Sequence, residues 1–148
     1  MKKLIIVFIS VLGFSMLSHA QEYKVITIVE SIVPAGLGRS RMIETKTDLN
    51  VDDLTTSRTD GKTSKQGDVS RADVKAEQFD ETKLLNFYSV GGINFQNIAS
   101  NDAVITSKIN KLVKEGWKLS FVTSAVESDA GKEDGNGIFV TRLFFFKD

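Results

Sequence analysis

Gly36-Leu37-Gly38-Arg39-Ser40-Arg41-Met42 is the stretch whose residue types come nearest to a ligand site. Its two glycines let backbone approach a ligand closely, and Arg39 and Arg41 supply forked donors for a carboxylate or phosphate. These two arginines are the candidate ligand-binding residues. The competing reading is a glycine turn that enters a short strand with both arginines facing solvent. A lone G-x-G lacks the remaining glycines of a dinucleotide fingerprint and the lysine of a P-loop. Two acidic groupings invite a metal. Asp48, Asn50, Asp52 and Asp53 start like a calcium loop, but an EF-hand requires glycine where Asp53 stands and glutamate where Thr59 stands. Asp129, Glu133 and Asp134, within ESDAGKEDGNG, match no defined ligand spacing. Neither a metal site nor a cofactor is expected.

The missing residue types decide more. The chain has no cysteine, which removes disulfides, thiol nucleophiles and thiolate metal sites. Its single histidine, His19, falls in a segment expected to be cleaved off, leaving no imidazole for base catalysis or zinc. Enzymatic chemistry would then rest on carboxylates, hydroxyls, lysine and arginine. Paired carboxylates can hydrolyse a glycosidic bond, but the acids here concentrate in polar loops, where nothing raises a pKa as a general acid requires. Ser64-Lys65 and Ser107-Lys108 are merely adjacent and do not form an S-x-x-K pattern. The balance is against an enzyme. Without Lys2 and Lys3, 17 basic side chains face 19 acidic ones, and so nearly neutral a chain gives no electrostatic footprint for nucleic acid.

Residues 1–20 have the form of a signal peptide. Lys2 and Lys3 make a basic start, Leu4–Leu17 is a short apolar run, and Ser18-His19-Ala20 offers small-residue cleavage chemistry before Gln21. The run is shorter than the roughly 20 apolar residues of a membrane span, and no second long apolar segment follows. The expectation is a periplasmic or secreted protein, residues 21–148, with no membrane span after cleavage. Without a cysteine it is not a lipoprotein.

The positions that must organise this domain lie in Asn101–Val122. Val104, Ile105, Ile109, Leu112 and Val113 recur at intervals of three and four and predict a helix over about 102–115. Asn101 is its expected N-cap, with Lys108, Lys111 and Lys114 on the water side. Gly116 supplies the left-handed stop. A period of two follows, with Trp117, Leu119 and Phe121 on one side. Tyr23–Val33 alternates with both faces partly apolar, as in a central strand. Phe79–Val90 predicts a second strand through Leu84, Leu85, Phe87, Tyr88 and Val90, ended by Gly91-Gly92. Ile93–Ser100 is expected as a connection with Ile93, Phe95 and Ile98 tucked against the core. Residues 46–78, without an aromatic and dense in mixed charge, read as a mobile polar insertion. Ile138–Lys147 is the most apolar strand: Ile138, Val140, Phe144 and Phe146 share one face, and Phe139, Leu143 and Phe145 the other.

Asn110, Leu112, Glu115, Gly116, Trp117 and Leu119, with the opening Glu22-Tyr23-Lys24-Val25, resemble a small uncharacterised bacterial domain family. That family shows a helix ending in L-x-x-x-G-W-x-L, an E/D-Y-K-V-like first strand and a last strand carrying a basic residue, here Arg142. The resemblance covers about half of the mature chain. It implies the fold and carries no activity with it.

Together these readings predict one α+β domain: an antiparallel sheet of about four strands with one main helix packed on one face. A helix covers only one face of such a sheet. The other awaits either the Leu37–Ile43 region or a second copy of the protein. The expected function is a non-catalytic exported module that binds itself, forming a homodimer, or binds another envelope protein or a glycan. The alternatives are a carrier of a small anionic ligand held by Arg39 or Arg41 between sheet and helix, or a carboxylate-based hydrolase.

Overall fold

The computed structural model describes residues 21–32, 40–89, 91–127 and 137–148. Its centre is an antiparallel pair of ten-residue strands, β1 (Glu22–Ser31) and β7 (Ile138–Lys147), matched along their full length from Glu22↔Lys147 to Ser31↔Ile138. β2 (Arg41–Thr45) and β3 (Phe79–Lys83) extend the sheet beyond β1, and β6 (Lys118–Val126) extends it beyond β7. The order is β3-β2-β1-β7-β6, so the sheet has five strands where about four were expected. β1 takes the central place that its two partly apolar faces predict. Two short strands, β4 (Tyr88–Ser89) and β5 (Gly92–Ile93), pair separately.

Between β2 and β3 the chain makes two single-turn helices, α1 (Val51–Leu54) and α2 (Arg71–Val74), neither with a buried residue. Asn50 caps α1 through the Asp52 N–H and also donates to Asp53, so these residues of the acidic cluster satisfy one another. Backbone and side-chain bonds from Lys46 and Thr47 to Gln78 close the base of the segment.

The main helix, α3, runs over Phe95–Lys114. It begins about two turns earlier than the apolar stripe suggests, because Asn94 rather than Asn101 is the cap: its side chain accepts the Asn97 N–H at 3.1 Å. Ile93–Ser100 is therefore largely helix rather than a connection, and Phe95 stands 77% exposed instead of tucked in. Leu112 is buried, with Val104, Ile105 and Ile109 packed beside it, whereas Val113 turns outward. Gly116 ends the helix at φ +91°, a conformation that costs any residue with a Cβ. The reversal places Trp117 against the core cluster of Ile26, Ile28, Met42, Leu84, Leu112, Leu143 and Phe145.

Two strands depart from their expected reading. The Phe79–Val90 strand stops at Lys83; Leu84, whose N–H still bonds Ser40 O at 3.1 Å, is buried in the core. In β6 a bulge between Leu119 and Phe121 breaks the alternation: Leu119 lies opposite Phe145, Phe121 opposite Phe144. Leu119 and Phe121 therefore face opposite sides of the sheet.

The helix covers the side bearing Ile26, Ile28, Met42, Leu143 and Phe145. The other side carries Tyr23, Val25 and Val29 from β1, Ile43 from β2, Val140, Phe144 and Phe146 from β7, and Phe121 from β6, with Arg142 and the Arg41–Glu81 pair interspersed. Ile43 is part of this face and does not fold over it, because Arg41–Thr45 is a strand of the sheet itself. Leu37 lies outside the described residues. Among the described residues no helix is long and apolar enough to cross a membrane.

Candidate functional site

Alternation along β2 separates its charged residues. Met42 and Glu44 point toward α3, while Arg41 points to the far face and pairs with exposed Glu81 on β3. Arg41 therefore does not line the space between sheet and helix. Arg39, like Asp129, Glu133 and Asp134, lies outside the described residues.

Charged chemistry gathers instead around Glu44, a carboxylate buried on the core side of the sheet. Its register neighbour on β1 is Ile26, and Lys24 stands one pleat away on the same face. The Lys24 ammonium donates to Glu44 Oε1 at 2.7 Å, Lys46 reaches the same oxygen at 3.1 Å, and Lys108 from α3 donates to Oε2. Lys46 also lies 3.3 Å from Asp80 Oδ2 on β3. Burial alone would raise the Glu44 pKa. The hydrogen bonds from Lys108, Lys24 and Lys46 outweigh that and bring it from the usual 4.5 down to about 2. Glu44 also holds Lys46 above its ordinary value. Lys108, expected on the water side, is only 15% exposed, because its stem lies along the helix flank and delivers the ammonium to Glu44.

Beside this cluster, α3 and the β2–β3 edge enclose a cleft of about 480 Å³. Met42, Ala103 and Val104 provide an apolar floor; Thr82, Ser107, Lys108 and Lys111 supply donors, with Glu44 and Asp80 on the sheet side. That size is within the range of small-molecule sites.

A second polar assembly holds the other end of the helix. Asn101 is 1% exposed and fully engaged: its Oδ1 accepts the Leu85 N–H at 2.8 Å, and its Nδ2 donates to Leu85 O and to Glu30 Oε1. Asn97 donates to Asn86 O, and the Asn86 side chain accepts from the backbone N–H and hydroxyl of Ser40. The Ser40 hydroxyl in turn accepts the Ser31 N–H. With every arm of Asn101 committed, this network fastens residues 84–87 and the ends of β1 and β2 to the helix; its chemistry is structural.

The sequence did hold one sign of the Glu44 cluster. Lys24, Ile26, Ile28 and Glu30 alternate onto one face of β1, and a core-facing row with a charge at each end needs partners on the neighbouring elements. Lys24 finds Glu44, and Glu30 finds Asn101. Among the described residues there is no grouping of three or more side chains able to hold a metal. Compared with protein-family models, curated proteins and solved structures, the chain matches none of them.

Proposed function

We propose that the protein is a non-catalytic, exported module that works by association, through the sheet face opposite α3 and the adjoining edge strand β6. Its partner is a second copy of the chain or another envelope protein. One observation carries this reading: large apolar side chains stand exposed on that face, Tyr23 69% and Phe121 60%, with Arg142, the Arg41–Glu81 pair and the Lys118 ammonium over Phe146 as the polar groups among them. Phe121 and Phe144 lie with ring centroids 6.0 Å apart, so the surface is contiguous across β6 and β7. An uncovered apolar sheet face of this kind marks an interaction site in a protein that stays in solution. The edges differ in the same direction. β3 presents Asp80, Glu81 and Lys83, the charges that discourage strand addition, whereas β6 after Lys118 has no charge through Val126.

The chain's lack of cysteine makes a direct test available. Single Thr123→Cys and Phe121→Cys variants, oxidised at micromolar concentration, should form disulfide-linked dimers if the β6 sides of two copies meet. The same yield from a cysteine placed at Asp53, remote from the sheet face, would reduce the crosslinking to random collision and remove the self-association form of the proposal.

A further inference from the structure

We propose that the cleft between α3 and the β2–β3 edge is a binding site for a small monoanionic amphiphile, an aliphatic carboxylate in its simplest form. Shape gives the first argument. The cleft has a floor of Met42, Ala103 and Val104 with hydroxyls of Thr82 and Ser107 beside it, the apolar body and few donors that such ligands require.

Charge gives the second. The cleft lining holds two lysines, Lys108 and Lys111, and two acids, Glu44 and Asp80. Lys24 and Lys46 reach Glu44 from outside the lining, Lys46 also pairs with Asp80, and Lys111 faces Glu115, so the ion-pair network as a whole has four ammonium groups to three carboxylates. Both Glu44 oxygens are already occupied by lysines, so that acid presents little free charge to an incoming anion. Lys111 is the least committed cation: it is 67% exposed and only 3.9 Å from Glu115, a contact of marginal strength. The assembly is thus one negative charge short, with three of its lysines crowded on a single carboxylate. An anion at the rim relieves that repulsion and meets Lys111 and Lys108, while its chain covers the apolar floor. A neutral amphiphile of equal length gains only the second of these terms.

The test uses decanoate and decanol as probes, with binding followed by isothermal titration and by amide chemical shifts of the purified protein. Decanoate should bind about tenfold more tightly than decanol, and Lys111→Glu should weaken decanoate about tenfold with little change for decanol. Higher salt should weaken decanoate alone. Shifts should centre on Ala103–Lys111 and Met42–Glu44. Arg41→Ala, on the opposite face, should leave the decanoate affinity unchanged and show that Arg41 has no part. Equal affinity for both probes, insensitivity to Lys111→Glu, shifts centred on Phe121 and Phe144, or no decanoate binding at millimolar concentration would each overturn the proposal.

Discussion

Glu44 shows how a single buried acid can be stable in a core when its surroundings supply the opposite charge. Replacing it with glutamine removes the negative charge that three ammonium groups share and leaves one accepting oxygen, with Lys46 keeping Asp80. The expected loss is about 2–3 kcal/mol, since the released lysines regain water. Denaturant midpoints would measure it. The pH dependence has a definite sign. A carboxylate whose folded pKa is depressed from 4.5 to about 2 stabilises the fold above its unfolded value and loses that contribution as pH falls between the two. The wild type should therefore lose stability from about pH 5 downward more steeply than Glu44→Gln, and parallel profiles would contradict the assignment. Asn101 makes a different demand. Asn101→Leu would fit an apolar interior but strand the Leu85 N–H and C=O, at a cost of about 2–3 kcal/mol by thermal or chemical unfolding. A neutral result would mean that the segment finds other partners. Arg41, by contrast, makes an exposed pair with Glu81 on the open sheet side, and Arg41→Ala should change stability by less than about 1 kcal/mol.

At the scale of elements, what was legible from the sequence was what local periodicity encodes. The stripe through Val104, Ile105, Ile109 and Leu112, the stop at Gly116 and the central position of β1 each follow from spacing over a few residues, and the structure has all of them. Gly116→Ala would force a Cβ into φ +91° and should cost about 1–2 kcal/mol, measured by denaturation; the nearest atom it meets is the movable Lys147 Cε at 3.4 Å, so the cost is conformational rather than steric. The departures share a cause too, because each depends on a partner distant in sequence. Asn101 has the side chain of a cap, but its partner Leu85 makes it an interior tether, and Asn94 performs the capping. The face of Phe121 is set by a bulge against β7, which an alternating pattern cannot reveal. Lys108 resembles any solvent-facing lysine until β2 brings Glu44 beneath it. The candidate site moved for the same reason: Arg39 and Arg41, two residues apart, attracted the anion reading, whereas the cleft takes its cations, Lys108 and Lys111, from α3.

For the whole molecule, one helix against a five-stranded sheet leaves an asymmetry that the described residues do not resolve internally. One face is closed by α3, and its charged edge discourages further strands. The other is apolar at Val25, Phe121, Phe144 and Phe146 and runs out to an uncharged edge. Export and association are linked expectations here, and mass spectrometry of the protein recovered from outside the cytoplasm should find Gln21 at its N-terminus if residues 1–20 are a leader. The central claim is association through the open face, and the most direct measurement is the molar mass of the purified protein by light scattering across a concentration series, beside Phe121→Asp at equal concentrations. The mass should rise toward twice that of one chain as concentration increases, with Phe121→Asp remaining monomeric and folded. A wild-type mass of one chain at every concentration would contradict self-association, and a dimer that Phe121→Asp leaves intact would contradict the face assigned to it.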